Sequence, residues 1–197
     1  MMRDLPGKTM STHDRDHRYH PLSIATHWLT LTLLVAAYAL IELRDLYPKG
    51  SAPREAMKTW HYMLGLTVFA LVFLRLALRL LFRAPPIAPL PPAWQLRLAA
   101  AMHVTLYLFL IVMPLLGWLT LSAKGQVVPY FGFELPHLLA PDKPLGRKLE
   151  DIHETIGNIG YFLIGLHAAA GLFHHYLTRD DTLQRMWPWR LRARRAG

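Results

Sequence analysis

Four long apolar stretches alternate with polar, proline- and glycine-rich ones along the 197 residues. The first, residues 22–41, carries one histidine and no formal charge. It is long enough to cross a hydrocarbon core of about 30 Å. Pro21 stands where such a helix can start, and Trp28 and Tyr38 toward its two ends match the aromatic belts of membrane helices. The second stretch, 59–82, opens on Trp60-His61-Tyr62. Arg75 and Arg79 interrupt its last turns, one turn apart, where long side chains can reach the interface. The third, 98–121, has His103 near its start and Pro114 inside, which predicts a kink. The fourth runs from His153 to about Tyr176, with glycines at 157, 160, 165 and 171. The pattern predicts an all-α, four-span integral membrane bundle.

The segments between them read as loops. Residues 42–58 are polar, and 83–93 form a proline-rich, extended connector. In 122–151 repeated Gly and Pro argue against regular helix, while Phe131, Phe133, Leu135 and Leu138 suggest that part lies on the membrane surface. The organisation expected is a tail at 1–20, a four-span domain at 21–178 and a basic tail at 179–197.

Composition sharpens this reading. The chain is 53% hydrophobic and 18% charged, below the roughly 25% charged of soluble domains. It has no Cys and 11 His. Disulfides, thiolate haem ligation, iron–sulfur clusters and c-type attachment are thereby excluded. The formal charge is +9, and topology accounts for it without nucleic acid. With four spans, both tails and the second loop with its flanks (Arg75, Arg79, Arg83 and Arg97) share one side. That side carries more Lys and Arg than the other, which places both termini in the cytoplasm.

The histidines carry the chemistry. His153 and His167 are fourteen residues apart, close to four helical turns, so both lie on nearly one face about 21 Å apart. His61 starts its span on the same side as His153 and matches its depth. His27 lies about 8 Å into the first span, the depth expected of His167. His103 lies equally deep in the third span, so depth alone leaves His27 and His103 as rival partners of His167. One histidine taken alone reads more simply as an interfacial anchor, and a proton relay is a further non-haem reading. Two pairs at two depths, beside small residues, instead suit two bis-histidine haems stacked between the helices. Such low-spin iron serves electron transfer rather than oxygen binding.

At these residues the chain resembles the bacterial cytochrome b561 family. The matching pieces are Ile24-Ala25-Thr26-His27-Trp28-Leu29, Arg75-Leu76-Ala77-Leu78-Arg79-Leu80 and His103-Val104-Thr105-Leu106-Tyr107. The most specific is His153-Glu154-Thr155, followed by Gly160–His167 with Ala168-Ala169-Ala170 and by His174-His175-Tyr176. Residues 1–18 fall outside the resemblance. It implies two b haems in a bacterial inner-membrane protein, with His27 and His167 as inner ligands and His61 and His153 as outer ligands. It also implies oxidation of superoxide on the periplasmic side and reduction of ubiquinone near the inner haem. For the quinone the candidates are His174, one face-repeat beyond His167, and His103. Lys58, Arg147 and Lys148 are candidates for steering a small anion to the outer haem, and Arg75 and Arg79 for pairing haem carboxylates. The same fold resembles the membrane cytochrome b subunits of hydrogenases and formate dehydrogenases. That alternative makes the chain a relay docked to an electron-donating partner subunit.

Overall fold

The computed structural model describes residues 18–188. The expected tails at 1–17 and 189–197 lie outside the described residues. Helix α1 spans Pro21–Leu43, α2 Ala52–Leu81, α3 Ala93–Ala123 and α4 Lys143–Phe173. All four are long and apolar enough to cross a membrane. The ends of α2 and α3 that meet at residues 82–92 share a side with the start of α1 and the segment after α4, here called the terminal side; the opposite side is the loop side.

The helix starts follow from local chemistry. Pro21 occupies the first position of α1, and Leu22 N donates to the His20 ring. Asp142 caps α4 by accepting from Leu145 N at 3.0 Å, satisfying one amide that the first turn leaves open. Helix α2 starts seven residues before the expected 59, and α4 ten before the expected 153. Residues 143–151 are therefore helical where Gly and Pro argued for loop. The prolines are the reason: Pro53 and Pro144 sit in first turns, where a missing N–H costs nothing. Helix α3 runs unbroken through Pro114.

The chain is mostly helical, with one small departure. Strands β1 (Val128–Tyr130) and β2 (Phe133–Leu135) pair antiparallel, Val128 opposite Leu135 and Tyr130 opposite Phe133. The two turn residues, Phe131 and Gly132, have φ of 45° and 89°, the left-handed pair a tight hairpin turn needs. The hairpin covers Leu66 and Leu121 through Val128. Phe133 is 74% exposed, beside exposed Trp60 and Phe131, in keeping with a loop lying on the membrane surface.

Two aromatic residues expected in interfacial belts turn inward instead. Trp28 Nε1 donates to the Met186 carbonyl at 2.7 Å and stacks edge-on with Trp187. The Tyr38 hydroxyl donates to the Gly157 carbonyl at 2.8 Å. Both polar tips find half-buried carbonyl acceptors, which outweighs a lipid-facing position. Residues assigned to the tails also join the fold. Tyr19 N donates to Arg185 O, His20 stacks flat on Phe82 at 3.7 Å, and Arg18 bonds the Trp187 carbonyl. Arg185, which falls in the segment expected as the basic tail, is 4% exposed. It bonds the Pro85 carbonyl and lies over the Tyr19 ring.

Candidate cofactor site

Helices α1 and α2 pack as one pair and α3 and α4 as another, with α2 against α3. His27 and His61 stand on the first pair. His103, His153 and His167 stand on the second. The gap between the pairs thus has imidazoles on both walls at two depths. A buried cluster of Val68, Val72, Phe109 and Leu110 fills the middle, between the two levels.

On the loop side the His61 and His153 rings face each other with centres 6.2 Å apart. Two imidazoles on opposite sides of one metal need about 6.3 Å: a bond of about 2 Å and about 1.1 Å from nitrogen to ring centre on each side. The spacing fits. His61 Nδ1 donates to the Ala37 carbonyl at 2.9 Å, which leaves Nε2 with its lone pair free. That is the orienting bond metal-ligating histidines usually make. Cavities of about 260 and 120 Å³ flank the pair, and both are lined by His61, His153 and Gly65. A side chain at Gly65 would project into open space within 4 Å, so this glycine keeps the gap clear. Both cavities reach the two rings, so the gap beside them is open where a bound group could lie.

On the terminal side His167 stands between two candidates. Its ring centre is 6.4 Å from His27 and 5.6 Å from His103. The first spacing matches the loop-side pair and the metal geometry; the second is short for it. Arg75 Nη2 lies 3.1 Å from His27 Nδ1, and its guanidinium sits 5.8 Å over the Tyr107 ring. It points into the gap rather than snorkelling to the boundary. Arg79 is exposed. Among the described residues no three His, Asp or Glu side chains converge on one point. Pairs of imidazoles suit a metal whose other ligands arrive with it.

The remaining candidates are scattered. Lys58 is bonded to Glu55 at 2.8 Å. Arg147 and Lys148 are exposed at the start of α4. None of the three lines either cavity; the cations that do are Arg44 and Lys124. Around them stand Glu42, Asp45, Glu150 and Glu154. Lys124 pairs with Glu150 at 2.6 Å and Arg54 with Asp45 at 2.7 Å. Tyr161 donates to Glu42 at 2.8 Å. His174, beyond the gap, is held by Asp180.

The sequence reading missed Gly65, Ala37, Tyr38 and Asp180 as parts of the site. Gly65 was findable, since it follows His61 by one turn on the same face. The glycines of the fourth stretch divide. Gly157 and Gly160 are close-packed, and a Cβ at Gly160 would strike Phe109 and Tyr38. Gly165 and Gly171 have nothing within 4 Å.

Comparison with known proteins gives the family. The family model for prokaryotic cytochrome b561 matches residues 18–189. Cytochrome b561 homolog 1 of Escherichia coli K12 is 41% identical over 174 residues, 88% of this chain and 99% of that protein. A Yersinia pestis protein named probable superoxide oxidase CybB is 37% identical over 171 residues, 87% and 96% of the two chains. Cytochrome b561 homolog 2 of E. coli K12 is 30% identical over 182 residues, 90% and 95% of the two chains. With opposed histidines between four spanning helices and a match over nearly all the described residues, the chain belongs to the prokaryotic cytochrome b561 family of membrane b-type cytochromes.

Proposed function

We propose that this cytochrome is a superoxide:ubiquinone oxidoreductase with two b haems. His61 and His153 hold the loop-side haem, and His27 and His167 the terminal-side one. The haems supply one-electron transfer, and with two imidazoles on each iron no position is left open for oxygen. The balance is two superoxide ions, one ubiquinone and two protons giving two dioxygen and one ubiquinol. The loop side faces the periplasm and both termini the cytoplasm of the inner membrane, on the Lys/Arg excess of the terminal side.

The observation that carries the reading is the loop-side pair itself: opposed rings flanked by cavities that run out among charged residues. There the chain admits a small diffusible donor. Arg44 and Lys124 attract it at close range, with Lys58, Arg147 and Lys148 acting from further out. On the terminal side Arg75 and Arg79 would pair with haem carboxylates, which accept more strongly than the His27 ring beside Arg75. His174 serves the ubiquinone carbonyl, with His103 as the second candidate. The Yersinia relative's name points the same way.

A second reading has its own observation. Four carboxylates stand around the larger cavity beside one arginine. An acidic rim suits a docked, basic electron-donating subunit better than an anion. The test is a reduced-minus-oxidised spectrum of the detergent-purified chain with a haem-to-protein ratio, repeated after a superoxide pulse with and without ubiquinone. Two haems that reduce with superoxide and reoxidise with ubiquinone are expected. Two haems inert to superoxide shift the reading to the relay, and a colourless chain ends both.

A further inference from the structure

We propose that Asp180 is a positioning residue that holds His174 as the proton donor to the quinone; the inference rests on the reading of His174 as the ubiquinone histidine. Helix α4 does not end in a glycine. It widens into a π-turn over His174–Thr178, and Arg179 then takes a left-handed conformation at φ 55°, ψ 35°. A residue with a Cβ seldom adopts that conformation. It turns the chain back so that Asp180, 3% exposed, lies under the His174 ring. Asp180 Oδ2 accepts from His174 Nδ1 at 2.5 Å, and Oδ1 accepts from Thr182 N at 2.9 Å.

A helix cap alone does not explain the carboxylate. The His174 carbonyl already accepts from the Thr178 hydroxyl at 2.6 Å and from Asp180 N at 3.1 Å. The carboxylate does not bond that carbonyl itself: it touches the Thr178 hydroxyl at 3.2 Å, and its shortest bond, at 2.5 Å, is to the imidazole. Burial pushes the Asp180 carboxyl up, and bonds from His174 and Thr182 outweigh it and hold the group below the usual carboxylate range. The other charges of this face are turned elsewhere. Asp181 accepts from Ala88 N at 2.9 Å and pairs with Arg185. Arg185 bonds the Pro85 carbonyl and Arg179 is exposed. His175, next to His174, lies against Tyr176.

The chemistry follows. An ionised carboxylate only accepts, so Nδ1 keeps its proton and Nε2 is the atom that exchanges one. As ubiquinone gains two electrons, each carbonyl oxygen gains a proton. His174 gives its Nε2 proton to the one carbonyl oxygen it faces, the N–H bond breaking as the O–H bond forms, and the opposite oxygen takes its proton from water. Water on the terminal side restores the proton. Asp180 stabilises the ring each time it is charged and fixes its tautomer when it is neutral.

The experiment uses the haem-loaded full chain with ubiquinone and superoxide, as wild type, D180N, D180E and H174Q. The readouts are haem content, kcat and KM for ubiquinone, and ¹⁵N spectra of the histidine tautomer assigned by its loss in H174Q. Expected for D180N is a kcat at least about 10-fold lower, KM within about 3-fold, unchanged haem content and loss of the Nδ1–H signal. D180E keeps the charge but displaces it, and recovers part of kcat. Wild-type kcat with a retained tautomer in D180N overturns the inference. If D180N does not hold haem, wild-type kcat in D180E overturns it instead. A separate result addresses the reading beneath: H174Q that reduces ubiquinone at the wild-type rate removes His174 from the quinone site altogether.

Discussion

At the scale of single residues, the opposed imidazoles make separable demands. His61 is fixed by the Ala37 carbonyl, so removing it leaves His153 facing an empty wall. His61→Ala and His153→Ala are each expected to halve the haem-to-protein ratio while the other haem survives. On the terminal side the ring spacings favour His27 over His103 as partner of His167. His27→Ala should therefore lose one haem and His103→Ala keep both, read as pyridine haemochrome per chain; the reverse pattern would reassign the ligand. This pairing shows where the sequence stops being informative. Helix rise gives depth, so both levels were legible from spacing alone. It says nothing of which neighbouring helix stands across the gap, so His27 and His103 tied. Asp180 makes a different prediction. Its carboxyl lies below the usual range in the fold, so its stabilising effect is present above the unfolded carboxyl value and is lost as pH falls through the lowered one. Thermal midpoints of wild type and D180N should differ at pH 7 and converge as the solution is acidified toward pH 3; a gap that stays constant refutes it.

At the scale of elements, the packing of α4 on α3, with Tyr38 of α1 reaching across to it, depends on Gly160. A methyl there meets the Phe109 ring and the Tyr38 hydroxyl, both held in the packed middle of the bundle. Gly160→Ala is expected to destabilise by about 1–3 kcal/mol through overpacking, seen as a lower thermal midpoint with haem bound. Gly65→Leu acts differently. Its side chain would enter the gap beside His61, so loop-side haem uptake should fall while the folded helices persist by circular dichroism. The existence and order of the four helices were legible from runs of apolar residues. Their ends were less so, because Pro53 and Pro144 count as breakers in a composition scan yet are ideal first-turn residues. The hairpin escaped for a similar reason: three-residue strands carry no useful period, and only the aromatic run around Gly132 marked them.

At the scale of the whole molecule, the two faces of the bundle are built for different traffic. The terminal face is closed by segments from three places in the chain. His20 lies on Phe82, Arg185 reaches Pro85 and Tyr19, and Asp181 meets Ala88. None of these pairings could be read from sequence, because each joins residues that share no motif and stand as far apart along the chain as Tyr19 and Arg185. The loop face is open and electrically mixed. Asp45 and Glu150 are paired with Arg54 and Lys124, whereas Glu42 holds only the Tyr161 hydroxyl among the bonds described for it, and Glu154 stands at the cavity wall. For an anionic donor these two carboxylates oppose approach, and at low salt their field reaches well past contact distance. Glu42→Gln with Glu154→Gln should raise the rate of haem reduction by superoxide about 2- to 10-fold at roughly 10 mM ionic strength, the gain fading near 0.5 M salt. A basic protein donor predicts the opposite sign, since the same substitutions would weaken its docking. Stopped-flow rates across that salt range therefore separate a chain that meets superoxide directly from one that waits for a partner.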